Sequence, residues 1–329
     1  MNLAFLAFTE KGFALAGFLA QTLGGSVMRC GKPDSLSDWT KKHFAEADGL
    51  VFVGAVGIAV RAIAPYIEKK WKDPAVVAVD ECACFAIPLL SGHLGGANRL
   101  ARAISQVCGA QAVVTTATDV NGVFAVDEWA KSQNLCVADP MHIKHISGKL
   151  LAGGNVSIYS AYPIDGTCPP GVTQTEHLPA DVAVSVRQEK AVLSLVPNTV
   201  VLGIGCRKGT PQDTIEAVFR RFLQENSLHI ESICAAASID LKKEEPGLID
   251  FCRAHGWPFQ TCTADELRSV PGTFTPSAFV SQVTGVDNVC ERSAVFVSGG
   301  SLSVKKFAAD GVTMAAAEKP FRLDWNVDR

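Results

Sequence analysis

The chain has 329 residues, of which 48% are apolar and 19% charged, with a formal net charge of −3. That length accommodates two or three domains of roughly 100–200 residues each, and the apolar content supports packed cores and excludes wholesale disorder. Charges of both signs without a long basic block argue against an electrostatic grip on nucleic acid or an anionic membrane.

Segment 1–20 is apolar, but it lacks a basic flank, and Thr9, Glu10 and Lys11 interrupt it. It reads as a strand followed by an amphipathic helix, not an export signal. No apolar run reaches the ~18 residues that a membrane span requires. Short β-rich runs at 3–8, 50–53, 75–79 and 112–114 alternate with helical patterns at 13–23, 36–47, 56–69 and 97–107. Such alternation predicts a mostly parallel sheet with flanking helices in a domain spanning 1–126.

A smaller middle α/β domain is expected over 127–198. It has helical segments at 127–133 and 141–151, a strand at 155–160, turn chemistry at 162–171 and edge-like strands at 182–186 and 192–196. The α/β rhythm restarts in a third domain, 199–329. A strand at 199–204 leads through the loop 205–210 into a helix opened by Pro211 with Thr210 as N-cap. Strands at 230–237 and 259–261, helices at 246–255 and 287–297, and a closing pair around 304 and 311–317 complete it. The fold class is multidomain α/β with mostly parallel sheets.

Eleven cysteines are scattered, odd in number and free of any Cys-x-x-Cys pair. Reduced thiols in a cytoplasm explain them better than a disulfide framework or zinc site, and packing is the expectation for Cys82 and Cys84 as well.

Chemistry-bearing residues concentrate between 54 and 127. Gly54-Ala-Val-Gly57 follows a strand, and Arg61 lies in the helix that begins there, a pattern suited to an anion or simply to a tight turn. Asp80 and Glu81 end another strand. Ser91-Gly92-His93-Leu-Gly95-Gly96-Ala-Asn98 is too glycine-rich for a core histidine, so His93 is read as functional. Thr115, Thr116 and Asp119 end the next strand, either as a polar rim or as a chain of caps and turns. Asp80, Glu81 and His93 lack a compact ligand spacing, so no metal is assigned. In the third domain, Gly205 to Gly209 with Arg207 and Lys208 again joins a strand to a helix start, where a carboxylate or phosphate is a natural guest. Glu291 and Arg292 point in different directions on their helix, with Glu291 expected to face inward and Arg292 solvent.

Together these segments resemble the cobalt-precorrin-5A hydrolases, the CbiG-type proteins. The resemblance rests on the ordered segments 54–65, 73–81, 90–98 and 115–119, then 203–209, 285–291 and 312–318. It implies water opening a δ-lactone on a cobalt-bearing, ring-contracted tetrapyrrole, with loss of acetaldehyde. The cobalt then belongs to the substrate, and no cofactor of the protein's own is expected. Lactone hydrolysis needs a base, oxyanion donors and a proton source. His93 is the expected base, oriented by Glu81 or Asp119. Gly54, Gly57, Arg61, Ser91, Gly92, Gly95, Gly96, Thr115, Thr116, Gly205, Arg207, Lys208 and Glu291 are the expected substrate contacts. Transient contact with neighbouring pathway enzymes fits the same reading. The rivals are a non-catalytic corrinoid carrier and a nucleotide-binding protein. The second is disfavoured because neither glycine loop is Gly-x-Gly-x-x-Gly or ends in Gly-Lys-Ser/Thr.

Overall fold

The computed structural model describes residues 1–31, 34–69, 72–93 and 95–326, and every side chain among them except that of Phe279. Two compact units result, one of residues 1–132 and 143–155, the other of 133–142 and 156–326. No helix among the described residues is long and apolar enough to cross a membrane.

In the first unit, β1 (Leu3–Ala7), β3 (Gly49–Val53) and β4 (Ala75–Val79) are buried at every position. Their unbroken apolar sequence is what strands covered on both faces require. With β2 (Ser26–Arg29), β5 (Phe85–Leu90) and β6 (Gln111–Ala112) they form a six-stranded sheet ordered β2-β1-β3-β4-β5-β6.

Helices α1 (Glu10–Leu23), α2 (Leu36–Glu46), α3 (Val56–Ile63) and α4 (Ala97–Cys108) connect these strands. Thr9 caps α1 by accepting the Gly12 N–H, and Glu10 complements the helix dipole there. In α4 the buried residues Ala97, Leu100, Ala101 and Ile104 recur at helical spacing, so one stripe packs on the sheet. The helix expected over 56–69 stops at Ile63 and tightens into a single 3₁₀ turn at Ala64–Tyr66, which contains Pro65. Short α5 (Ala117–Val120), α6 (Val126–Ser132) and α7 (Ile143–Leu151) complete the unit.

Strand β5 is absent from the sequence-based expectation, and it changes the geometry. It pairs antiparallel with β4, placing Leu90 opposite Val76 and Ala86 opposite Val79. The loop after β5 therefore emerges at the opposite sheet edge from the loops after β1, β3 and β4. Five strand residues separate those edges by roughly 16 Å.

The second unit holds two five-stranded sheets. One is ordered β10-β8-β11-β12-β7, from β7 (Leu135–Val137), β8 (Val156–Ser160), β10 (Val172–Thr175), β11 (Ala180–Val184) and β12 (Ala191–Pro197). Strands β11 and β12, expected at an edge, lie inside this sheet because β7 covers β12 in antiparallel register. The other is ordered β15-β14-β13-β17-β16, from β13 (Val200–Cys206), β14 (Ile233–Ile239), β15 (Phe259–Cys262), β16 (Ser301–Ala309) and β17 (Val312–Glu318). Two short strands, β9 (Ile164–Asp165) and β18 (Leu323–Asp324), pair in parallel.

Helices α8 (Gln212–Glu225), α9 (Pro246–His255), α10 (Ala264–Ser269), α11 (Ala278–Thr284) and α12 (Cys290–Ser298) flank the second sheet. Helix α12 sits so close to β13 that a Cβ on Gly203 would lie 1.8 Å from the Cys290 carbonyl oxygen, so only glycine fits.

Candidate active site

The loop following β5 and the segment following β6 meet at the carboxyl ends of those two parallel strands, where α/β sheets place ligands. Ser91 turns the chain with φ +57°, its carbonyl accepts the Ala97 N–H at 3.1 Å, and Gly92 accepts the Asn98 N–H at 3.0 Å. The loop folds so tightly that a Cβ on Gly95 would lie 2.2 Å from Ser91 Cβ. Gly96, at φ +90°, is the N-cap residue of α4. Leu94 of this motif lies outside the described residues.

This turn drives His93 inward to 7% exposure. Its Nε2 is 2.9 Å from Asp119 Oδ2 and 3.1 Å from Thr118 Oγ1, and its Nδ1 is 3.3 Å from Asp127 Oδ2. A Glu128 carboxylate oxygen lies 3.9 Å from Nε2. Asp119 also takes the Asn98 amide at 3.0 Å and pairs with Arg102. Helix α6 supplies Asp127 and Glu128, and its buried Val126, Trp129 and Ala130 fix it in the unit.

Burial of the His93 ring opposes its charge, but Asp127, Asp119 and Glu128 outweigh that and raise its pKa to about 9. Burial likewise works against the Asp119 carboxylate, yet His93 and Arg102 hold it below the usual range. Burial lifts the Glu128 carboxyl above its usual range. His93 in this state keeps its proton at neutral pH. The base role expected from the sequence therefore requires that proton to leave first.

Beside this centre is a pocket of about 170 Å³ lined by 88–92, Asn98, Thr115 and Thr116. The Asn98 amide links it to His93's partner Asp119, and also donates to Thr116 Oγ1 at 2.9 Å. The Ser91 hydroxyl is buried without a hydrogen-bond partner among the described residues. Of the sequence-derived candidates, His93, Asp119, Ser91, Gly92, Gly95, Gly96, Thr115 and Thr116 thus come together.

The others do not. Glu81 sits at the far sheet edge and accepts the Thr9 hydroxyl at 2.7 Å, backing the α1 cap. Asp80 closes its own turn by accepting the Cys82 and Phe85 N–H groups. Gly54, Gly57 and Arg61 follow β3 at that same far edge. Turnover by a Glu81→Gln variant should therefore stay within about twofold of the parent, the ordinary effect of a surface change. A loss of 100-fold in the steady-state rate would return Glu81 to the site.

In the second unit, Gly205 belongs to β13 opposite Thr313 and not to a loop. Arg207 and Lys208 are exposed. Thr210, expected as an N-cap, instead donates its hydroxyl to the Arg207 carbonyl at 2.8 Å. The loop already has an internal anion, because Gly209 N–H donates to Glu245 Oε1 at 2.6 Å and Lys242 pairs with the same carboxylate at 2.9 Å. Burial opposes that charge, but Lys242 and the Gly209 N–H hold the Glu245 carboxyl below its ordinary range. Its stabilisation is therefore present above the usual carboxylate pKa and lost as pH falls through the folded value. Between pH 5 and 3, denaturant midpoints of Glu245→Gln should change less than those of the parent protein. Equal slopes would show that the carboxylate contributes nothing.

Glu291, expected as a substrate contact, is corrected outright. It has 0% exposure and accepts bonds from Thr275 N–H, Thr275 hydroxyl, the Asn288 amide and Lys306 N–H at 2.7–2.9 Å. Nothing of it remains to meet a ligand. The residues around His93 that the sequence did not single out as site candidates are Asn98, Arg102, Thr118, Asp127 and Glu128. The one local signal was two adjacent acids opening a helix after the Asn121-Gly122 turn.

Comparison with known proteins adds the family. A model described as Cobalamin synthesis G N-terminal matches residues 38–119, and one described as Cobalamin synthesis G C-terminus matches 200–317. The chain is similar to a cobalt-precorrin-5A hydrolase of Salmonella typhimurium, at 34% identity over 95% of this chain and 96% of that protein. A cobalt-precorrin-5A hydrolase of Priestia megaterium matches at 30% identity over 84% of this chain and 80% of its own. Protein CobE of a Sinorhizobium species is 28% identical over 36% of this chain and 79% of that protein. Full-length similarity at this level, with both terminal models in order, means that the chain belongs to the cobalt-precorrin-5A hydrolase family.

Proposed function

We propose that this chain hydrolyses the δ-lactone of cobalt-precorrin-5A, with loss of acetaldehyde to give cobalt-precorrin-5B. The observation that carries this reading is 34% identity to the Salmonella hydrolase across nearly the whole of both chains. The reaction is placed at the His93 centre. Water oxygen bonds to the lactone acyl carbon, the ring C–O bond breaks, and the departing alkoxide takes a proton. His93, Asp119 and Glu128 are the groups assigned to the water and the proton. The 170 Å³ pocket suits a lactone-sized fragment and not a whole macrocycle, for drug-sized ligands occupy roughly 300–1,000 Å³. Arg207 and Lys208 are exposed cations suited to the peripheral carboxylates of a corrinoid. Eleven free thiols support a reducing, cytoplasmic setting.

Anaerobic incubation with cobalt-precorrin-5A tests the activity, with acetaldehyde trapped and corrinoid mass followed. Protein-dependent acetaldehyde with formation of the 5B product supports it. Corrinoid binding without acetaldehyde would replace it with the carrier reading.

A further inference from the structure

We infer that His93, Asp119 and Glu128 bind one divalent metal ion, with Asp127 positioning the imidazole from behind. One ligand atom from each of the three lies within 4.8 Å of the others. From His93 Nε2, the Asp119 oxygen is 2.9 Å away and the Glu128 oxygen 3.9 Å. Both separations are shorter than the roughly 4.2 Å between opposite ligands of an ion bound at ~2.1 Å, so one ion can touch His93 together with either carboxylate. The third separation, at most 4.8 Å, asks no more than a side-chain shift of about 0.6 Å.

The second observation is Asp127. Its carboxylate is 2% exposed, sets one oxygen on His93 Nδ1, and has no hydrogen-bond partner for the other among the described residues. A carboxylate on the far nitrogen of a histidine is the usual support of a metal-ligating imidazole, since it fixes the tautomer and leaves the opposite nitrogen free to ligate.

Charge points the same way. Asp119, Asp127 and Glu128 contribute three carboxylates, and Arg102, itself 44% exposed, contributes one cation. With the imidazole neutral the cluster lacks two positive charges, which one divalent ion supplies. Binding then releases the His93 proton, as ligation by a histidine must. The sequence reading assigned no metal because it tested Asp80 and Glu81 with His93, and β5 carries those two acids to the other edge. Three protein donors leave coordination positions for water and for a carbonyl oxygen. On the hydrolase reading, on which only this role rests, the ion polarises the lactone and acidifies the water.

One imidazole and two carboxylates without thiolate suit Mn²⁺, and the eleven thiols compete poorly for that ion. The full chain, freed of metal by chelator dialysis, is titrated with Mn²⁺ while the free aqueous ion is read by electron paramagnetic resonance. One ion per chain is expected. His93→Ala and Glu128→Gln should each weaken binding by more than about tenfold, and Asp127→Asn by about tenfold. Glu128 is 25% exposed, so its isosteric variant keeps the fold, which the thermal midpoint checks. Mn²⁺ left free at millimolar concentration, or bound equally by His93→Ala and Glu128→Gln, would overturn the site. The titration contains no corrinoid, so failure of the hydrolase reading leaves its outcome unaffected.

Discussion

Replacing His93 with alanine is expected to slow acetaldehyde release from cobalt-precorrin-5A by about 100-fold or more, the scale on which loss of a positioned catalytic group acts. The ring is the hub of its cluster, touching Asp119 and Thr118 through Nε2 and Asp127 through Nδ1. Its removal also leaves two well-buried carboxylates, Asp119 and Asp127, without their shared partner. Some loss of stability in the first unit therefore accompanies the loss of rate. The two are separated by single-turnover kinetics on protein whose circular dichroism matches the parent at the assay temperature. Glu81→Gln serves as the matched control, because it removes a charge from the same sheet at its other edge. Turnover of the folded His93→Ala protein within a factor of two would place the chemistry elsewhere.

The largest effect on stability is expected at Glu291. Its carboxylate joins three pieces of chain that are distant in sequence, the segment at Thr275, the start of α12 at Asn288, and β16 at Lys306. Alanine there leaves two backbone N–H groups, the Thr275 hydroxyl and one hydrogen of the Asn288 amide without their acceptor in a site with no exposure. At roughly 1 kcal/mol for each of these donors, the low end of the usual cost because the site relaxes, the loss is about 4 kcal/mol. In a unit of this size that is a Tm decrease of roughly 10 °C. Glutamine should recover only part of it, since its amide nitrogen presents hydrogens where the carboxylate accepted them. Calorimetry or urea denaturation measures both variants, and a Tm within 2–3 °C of the parent, less than about 1 kcal/mol, would remove Glu291 from this role.

Much of the fold is readable from the sequence because local and global preferences agree. Segments 3–8, 50–53 and 75–79 are apolar without alternation and short, which distinguishes buried parallel strands from helices. The segment Phe85–Leu90 defeated that reading. It carries Pro88, and it begins beside the polar turn at Asp80 and Glu81, so neither alternation nor a continuous β-branched run marks it as a strand. Without β5 as an antiparallel strand, the loops after β5 and β6 fall at the wrong edge of the sheet. Glu81 and Arg61 were therefore grouped with His93 although the sheet separates them.

The centre itself was half visible. A histidine between glycines and an aspartate after a threonine run identify His93 and Asp119. Asp127 and Glu128 look like an ordinary acidic helix start, and only the return of α6 toward the loop makes them partners. Glu291 shows the opposite limit. Its inward direction follows from helical spacing, but an inward carboxylate serves a ligand or the fold depending on which donors surround it. Arg292, expected to face solvent, instead donates to the Leu267 and Val270 carbonyls and pairs with Asp287.

The reversal at β5 has a practical side. Cys82 and Cys84, the two exposed thiols of the chain, sit in the turn joining β4 to β5, a strand's length from the His93 loop. They are natural handles for a fluorophore, a spin label or tethering to a surface. An attachment there would sit at the opposite sheet edge from His93, so the tethered protein keeps the His93 loop unencumbered.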